Sequence, residues 1–270
     1  MTQFDPGYHA QLFQTLCETY PDESVYPKKH FRYEWGPIFH RGRLDGSARI
    51  LIIGQDPAQN ENIVRRILVG EAGQRVQGLL AKLGIDRSYV MINTYLYSVY
   101  GGAPAKVRRD PRLVGYRNQW IDALLIGKGV EAVVAFGTLA EEAWGFWKNT
   151  PQGQQLNIPF VKIPHPTQPE SSSKGEKTKL ADATRKMLSA WNDAIQTLRR
   201  EIRNPDFQPP AELYGDTFKE GDKVPIPEFD FPAGLPVWMR EQDGWARRAG
   251  GTDEAKRANI TLKVPQDYMK

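Results

Sequence analysis

Four short apolar runs, rich in β-branched residues, recur along the first 165 positions, and a turn residue or a polar residue follows each one. These runs cover about 49–53, 89–92, 132–136 and 160–163. Uninterrupted apolar runs of this length are typical of parallel strands that are covered on both faces. Apolar residues at helical spacing follow each run, over about 72–84, 111–127, from 137 onward and over about 176–202. The pattern therefore predicts strands that alternate with helices.

This alternation predicts an α/β fold, a three-layer α/β/α arrangement with a mainly parallel four-stranded central sheet. We expect the domain to occupy residues 1–202, with a helical lead-in over 1–48 that contains basic loop material at 41–43. Residues 203–270 differ, because frequent prolines forbid long helices and central strands while aromatic residues are too numerous for a free linker. We interpret them as an extended Pro-rich C-terminal segment that wraps the domain.

Composition narrows the possible classes of protein. The chain has 270 residues with a net charge of +4, divided into a basic body and a mildly acidic tail, which is compatible with a polyanionic partner. Cys17 is the single cysteine, which excludes an internal disulfide and a four-thiolate zinc or iron–sulfur site. No apolar run approaches the roughly 20 residues that span a bilayer, and no signal peptide is visible. We expect a cytoplasmic monomer that does not bind membranes.

Polar side chains follow three of the four predicted strands: Asp56, Asn93 and His165. The carboxyl ends of parallel strands meet at one edge of a sheet, which is where open α/β sheets bind ligands, so we expect these side chains to converge. Each also has a purely structural interpretation. Asp56 could cap a helix, Asn93 could bond loop backbone, and His165 could be packed or solvated. Their joint occurrence at strand ends favours an active site.

Two motifs at these strand ends, Gly54-Gln55-Asp56-Pro57 and His165-Pro166-Thr167, resemble the signature motifs of the uracil-DNA glycosylase superfamily. Between them the chain is similar to the iron–sulfur branch of that superfamily, at positions 69–73, 79–80, 84–85, 90–93 and 133–140. The resemblance covers about residues 48–200. Either motif alone would be a weak signal, whereas four matches in the family's order make a fairly specific one.

The resemblance implies an enzyme that flips a deoxyuridine out of the DNA stack and hydrolyses its N-glycosidic bond. Asp56, ionised, would stabilise the cationic sugar and align a water molecule. His165, neutral, would donate a hydrogen bond to the uracil O2, which the backbone around Gln55 would also face. Asn93 would pair with O4 and N3–H and so reject cytosine. Such a hydrolase needs no metal or other cofactor.

Several positions depart from the family pattern. Ala58 stands where the most uracil-strict branch has a tyrosine that blocks the thymine methyl group, so we expect looser exclusion of 5-substituted uracils. Leu68 stands where the iron–sulfur branch has the phenylalanine that stacks on the flipped base. The cysteines of that branch are absent, so no cluster is expected. Residues 106–112 contain no histidine that could trap DNA covalently, as another branch does, so turnover is expected.

Polar residues near these motifs are candidates for DNA contacts: Thr167, Gln168, Ser171, Ser172, Ser173, Lys174, Arg108 and Arg109. Hydroxyl groups, amides and cations suit phosphate groups, although a solvated loop and a solvated charge run would have the same composition. In the family, a large aliphatic wedge follows the histidine motif. Here Gln168-Pro169 occupies that place, so no wedge residue is predicted.

Together these residues predict a monofunctional uracil-DNA glycosylase that initiates base excision repair on single- or double-stranded DNA. Two alternatives are a glycosylase mainly for hypoxanthine or xanthine, and a catalytically weak protein that binds damaged or abasic DNA. Retention of both Asp56 and His165 argues against the pure binder. An unrelated nucleotide-binding protein is disfavoured, because the chain has neither a Gly-x-Gly-x-x-Gly motif nor a Lys-bearing phosphate loop.

Overall fold

A five-stranded sheet forms the centre of the computed structural model, which describes residues 5–100 and 102–269. Its strands are β1 (His40–Gly42), β2 (Ile50–Gly54), β3 (Tyr89–Asn93), β4 (Ala132–Phe136) and β5 (Phe160–Ile163). They lie in the order β1-β3-β2-β4-β5. All neighbours pair in parallel except β1, which runs antiparallel to β3. The mainly parallel sheet is confirmed, but the predicted number of four strands is wrong.

The additional strand, β1, lies where the sequence predicted loop material. Its three residues pair with Val90–Ile92 of β3, and three residues are too few to show the period of a strand. The basic composition also suggested solvent exposure, whereas Arg41 is completely buried and His40 nearly so. These polar side chains are buried because residues from other segments, distant in the chain, lie against them.

Helices cover both faces of the sheet. In the body of the protein they are α1 (Gln11–Glu18), α2 (Gln59–Val64), α3 (Gly70–Lys82), α4 (Ala105–Arg108), α5 (Pro111–Leu125), α6 (Gly137–Lys148), α7 (Pro151–Gln155), α8 (Gln168–Ser173) and α9 (Lys177–Glu201). The predicted helices correspond to α3, α5, α6 and α9. The short helices α2, α4, α7 and α8 were not predicted, because single turns show no helical period. Within the described residues, no helix is long and apolar enough to cross a membrane.

Alternation along each strand divides the apolar core between two layers. In β2, Ile53 belongs to the same cluster as Trp120 of α5. Its neighbour Ile52 belongs to a second cluster with Leu80 of α3 and Trp191 of α9. Successive strand residues point to opposite faces of a sheet, so each face is covered by helices and the three-layer α/β/α arrangement is confirmed.

The Pro-rich segment after α9 forms short elements: α10 (Trp238–Glu241), β6 (Ala246–Arg248), α11 (Asp253–Ala258) and β7 (Ile260–Leu262). Strands β6 and β7 pair antiparallel as a separate two-stranded sheet. Ile226, Trp238 and Trp245 form a third apolar cluster with Val64 and Val69 of the body. The segment therefore packs its aromatic residues against α2 and the loop that precedes α3.

A buried ion pair also joins this segment to the central sheet. Arg41 Nη1 lies 3.1 Å from Asp230 Oδ2, and both side chains are almost completely buried. The same carboxylate oxygen accepts a hydrogen bond from the Tyr89 hydroxyl. The two members of the pair are 189 positions apart in the chain, so no local sequence pattern indicates their contact.

Candidate active site

A cavity of about 380 Å³ opens at the carboxyl edge of the central sheet. The residues predicted from the sequence that line it are Gln55, Asp56, Ala58, Leu68, Asn93, His165 and Thr167. They come from the ends of β2, β3 and β5 and from the loops that follow. Further lining residues, which the sequence analysis did not single out, are Gln59, Asn60, Glu61, Val69, Glu71, Ala72 and Gly244.

Close pairing of β2 with β3 positions the Asn93 amide. Gly54 lies opposite Asn93 in the parallel register, and a Cβ atom at Gly54 would lie only 2.3 Å from Asn93 Oδ1. A glycine at this strand end is therefore what leaves room for the amide. The Tyr95 N–H donates to the Gln55 carbonyl at 2.9 Å, which extends the backbone pairing into the motif loop and fixes it relative to Asn93.

The Asp56 carboxylate is held at the cavity wall by a backbone group. Its Oδ2 accepts the Val99 N–H at 3.0 Å. It does not cap α2, whose N-cap residue is Ala58. Burial raises the pKa of Asp56 to about 6, and the Val99 N–H and the Arg248 and Arg32 charges oppose that rise. The side chain is therefore ionised at neutral pH despite its burial.

The His165 imidazole is neutral, and one hydrogen bond fixes its tautomer. Nδ1 accepts the Thr167 backbone N–H at 3.3 Å and lies 3.1 Å from the Thr167 hydroxyl. Because a backbone N–H can only donate, the ring proton is assigned to Nε2. Burial, reinforced by the positive charge of Arg75, lowers the pKa of His165 to about 4. The ring therefore lines the cavity as a neutral N–H donor.

Arg75 of α3 holds the segment that carries His165. Its guanidinium group donates to the Pro166 carbonyl at 2.5 Å and to the two carboxylate oxygens of Glu170 at 2.7 and 3.1 Å. Glu71 accepts a further hydrogen bond at 2.6 Å. Bidentate pairs of this kind fix direction as well as distance, so α3 and the histidine motif are joined in one orientation.

Glu61 of α2 joins two loops of the cavity wall. Its buried carboxylate accepts the Ala58 N–H at 3.1 Å and the Val69 N–H at 3.2 Å. Burial raises the pKa of Glu61 to about 7. Next to Val69, Leu68 adopts a left-handed backbone conformation with φ of 51°. A Cβ atom at Gly73 would lie 1.8 Å from the Leu68 carbonyl oxygen, so a glycine is required for this close approach.

Glu61 and the residues that the C-terminal segment contributes were not predicted from the sequence. A signal for Glu61 existed, since an acid three residues after a helix N-cap commonly accepts the N–H of the cap residue. No comparable signal exists for Gly244 or Arg248. Packing of the third apolar cluster, rather than any local pattern, brings Gly244 to the cavity and the Arg248 charge close enough to act on Asp56.

The serine-rich stretch after the histidine motif forms helix α8, not the solvated loop considered from the sequence. The hydroxyl groups of Ser171, Ser172 and Ser173 donate to backbone carbonyls three residues earlier. Pro169 in the first turn suits a helix start. Lys174 follows the helix with a left-handed φ of 49° and is exposed. Of the residues predicted after His165, Thr167 lines the cavity, whereas Gln168 and these four do not.

Arg108 and Arg109, at the end of α4, both approach one carboxylate. Glu142 of α6 lies 3.8 Å from Arg108 Nε and 3.3 Å from Arg109 Nε. Arg109 is exposed and Arg108 is partly exposed, and neither lines the cavity. Their role as DNA contacts stays a prediction.

Metal-binding groups are not clustered in the described part of the chain. Within residues 5–100 and 102–269, no three His, Cys, Asp or Glu side chains are placed to hold a metal ion. Burial raises the pKa of Cys17 to about 11. A thiol with this pKa is protonated at neutral pH and therefore a weak metal ligand.

Comparison with known proteins agrees with the geometry of the sheet edge. The family model of the uracil DNA glycosylase superfamily matches residues 41–202, which is more than half of the chain. Two curated proteins named uracil-DNA glycosylase, from Limosilactobacillus reuteri strain DSM 20016 and subsp. reuteri strain JCM 1112, are each 33% identical over 63 residues. Each match covers 22% of this chain and 24% of the relative, so the chain spans about a quarter of the length of these relatives. The family match includes the strand ends that supply Asp56, Asn93 and His165, and the chain belongs to the uracil DNA glycosylase superfamily.

Proposed function

We propose that this protein is a monofunctional DNA glycosylase that hydrolyses the N-glycosidic bond of uracil in DNA and so initiates base excision repair. The observation that carries the proposal is that Asp56, Asn93 and His165 line one cavity at the sheet edge. A carboxylate, an amide and a neutral imidazole are the groups needed to stabilise a cationic sugar, read a base edge and bind a developing anion.

In the proposed reaction, the bond between C1′ and the base nitrogen breaks and its electron pair moves to the base. A water oxygen bonds to C1′, and the displaced proton passes to Asp56. The ionised carboxylate of Asp56 stabilises the positive charge on the sugar. The Nε2–H of His165 donates a hydrogen bond to the uracil O2, where negative charge collects. His165 keeps its proton. The proton taken up by Asp56 is lost to solvent, which protonates the base nitrogen on release, so the carboxylate is regenerated.

The Asn93 amide would read the uracil edge. It combines an acceptor and a donor in one plane, as O4 and N3–H of uracil require, and cytosine presents the reverse pattern. The small side chain of Ala58 lines the same cavity and supports a range that includes 5-substituted or other deaminated bases. Thr167, Gln168, Ser171, Ser172, Lys174, Arg108 and Arg109 are proposed DNA contacts. Ser173, predicted with them, is buried and hydrogen-bonded to the Glu170 carbonyl, so it is not proposed.

Base release from uracil-containing single- and double-stranded oligonucleotides tests the proposal. We expect Asp56→Asn and His165→Ala each to lower the single-turnover rate by about 100-fold or more. Asp193→Asn, on the exposed face of α9, is the matched control and should release uracil at the wild-type rate. Unchanged rates in both cavity variants would refute the proposal, and tight binding to abasic DNA without base release would favour the damaged-DNA binder.

The range of bases is tested with one oligonucleotide set that carries uracil, a thymine mismatch, hypoxanthine or xanthine. We expect uracil to be released fastest and Ala58→Tyr to reduce release of thymine relative to uracil, because the larger side chain would fill the space for the methyl group. Faster release of hypoxanthine or xanthine than of uracil would favour the alternative substrate class.

A further inference from the structure

Three arginines meet around Ser98 and Tyr100, next to the backbone group that holds Asp56 and outside the residues to which the proposed chemistry assigns a role. We call Arg32, Arg248 and Arg257 the arginine cluster. Arg32 precedes β1, whereas Arg248 lies in β6 and Arg257 in α11, so two members come from the C-terminal segment. The guanidinium carbons of Arg32 and Arg257 lie 4.6 and 3.9 Å from the centre of the Tyr100 ring.

Hydrogen bonds hold the cluster together without carboxylates. Arg32 donates to the Ser98 hydroxyl at 2.8 Å and to the Arg257 carbonyl at 3.2 Å. Arg248 approaches the same Ser98 hydroxyl at 3.5 Å. Ser98 directly precedes Val99, whose N–H binds Asp56. The cluster is therefore built onto the loop that positions the proposed catalytic carboxylate.

The positive charges of the cluster are not neutralised by ion pairs. In the described part of the chain, no carboxylate oxygen lies within 4.0 Å of a nitrogen of these three side chains. Arg32 is only 3% exposed, and a buried cation is normally paired. Elsewhere in the same molecule Arg41 and Arg75 do have carboxylate partners, Asp230 and Glu170.

The effects of neighbouring charges on the pKa values of the cluster also indicate that its positive charge is only partly balanced. Burial lowers the pKa of Arg32, and the nearby charge of Arg248 lowers it further. Asp56 acts on both side chains in the opposite sense. Glu61 acts on Arg248 in that sense as well. These two carboxylates act at a distance on a cluster of three like charges, so an additional anion next to the cluster would stabilise it.

The position of the cluster indicates which anion it would bind. Arg248 is exposed and Arg257 is partly exposed. Gly244, which precedes β6, lines the cavity itself. If the sugar of a flipped nucleotide lies at Asp56, the phosphodiester groups on either side of that sugar are the anions nearest to the cluster.

We propose that Arg248 and Arg257, backed by the buried Arg32, form a binding site for a phosphodiester group that flanks the flipped nucleotide, so that the C-terminal segment supplies part of the DNA-binding surface. This inference rests on the proposed function. Guanidinium groups bind phosphate oxygens through paired, charge-assisted hydrogen bonds, and such contacts position a nucleic acid without reading its sequence.

The test measures binding of the full-length protein to oligonucleotides that contain a stable abasic-site analogue, so it does not require base release. Arg248→Gln and Arg257→Gln should each weaken binding by about 10-fold and reduce the salt slope by about one. Arg247→Gln and Lys256→Gln are matched controls, because they are exposed neighbours on the same strand and helix. They should change binding less than the cluster variants. Arg248→Lys, which keeps the charge, should retain most of the salt slope.

A charge-neutral methylphosphonate linkage next to the abasic site identifies the contact. It should weaken binding of the wild type and of both controls, but it should have little further effect on Arg248→Gln, because the two changes remove the same interaction. Equal losses in wild type and Arg248→Gln would refute the site. Inhibition by a nucleoside 5′-monophosphate as strong as that by the oligonucleotide would show that the cluster binds phosphate monoesters, and would overturn the assignment to a phosphodiester.

The outcomes separate this inference from the proposed function. Coupling between the linkage and Arg248 in a protein that releases no base would support the phosphodiester site and contradict the glycosylase. Base release at full rate without coupling would support the glycosylase and contradict the site.

Discussion

Asp56 and His165 line the same cavity, yet burial favours the required state of only one of them. Desolvation opposes charge, so it raises the pKa of the acid and lowers that of the imidazole. The proposed reaction needs His165 neutral, which burial provides, and Asp56 ionised, which burial opposes. An arginine lies near each group, but Arg75 reinforces the effect of burial whereas Arg248 counteracts it. A positive charge therefore has opposite effects on the two sides: it adds to the effect of burial at His165 and opposes it at Asp56.

The largest expected effect is a loss of stability on the His165 side. Arg75→Met removes hydrogen bonds to Pro166, Glu170 and Glu71, and we expect the free energy of unfolding to fall by about 2–3 kcal/mol. Urea unfolding at neutral pH measures it. The control is Arg185→Met, whose exposed pairing with Asp182 on α9 should contribute less than about 0.5 kcal/mol. Equal stabilities of the two variants would show that Arg75 does not hold the histidine motif.

On the Asp56 side the expected change in stability has the opposite sign. Because the pKa of Asp56 is raised in the folded state, its favourable contribution is present below about pH 4 and is lost as the pH rises through about 6. Asp56→Asn should therefore stabilise the protein by about 1–2 kcal/mol above pH 6. The gain should vanish near pH 4, which unfolding curves at several pH values would detect. A gain that does not vary with pH would exclude this cause.

The smallest expected effect is on the pH dependence of kcat/KM. Protonation of Asp56 should make kcat/KM fall about tenfold per unit below pH 6, with no second limb from His165 until about pH 4. Charged groups that face Asp56 are Arg32, Arg248 and Glu61. Arg248→Gln should move the limb to higher pH by less than about one unit.

Two variants identify the group behind this limb. Arg75→Met should leave it in place, because its charge acts on His165. Glu61→Gln should also keep it. Loss of the limb in Glu61→Gln would assign it to Glu61, whose pKa is raised to about 7.

The central strands and the convergence of Asp56, Asn93 and His165 could be predicted because both depend on local sequence. A buried parallel strand is a short apolar run, and the residue after it must lie at the sheet edge. Strand β1 and helix α8 could not be predicted, because their few residues show no period. Arg41 resembled solvated loop material, since its burial depends on Asp230, far away in the chain. The positions of Arg248 and Arg257 next to Arg32 likewise depend on packing between segments that are distant in the chain.

The pairing of Arg41 with Asp230 has a consequence for the unit that folds. The family match ends at residue 202, but a chain that ended there would lack Asp230 and would leave a guanidinium group enclosed beneath the sheet edge without its counter-ion. Loss of one partner from a buried pair costs about 3–5 kcal/mol, a large part of the stability of an ordinary domain. The counter-ion of β1 is therefore encoded far downstream, and the segment that the family model matches is shorter than the one expected to unfold cooperatively.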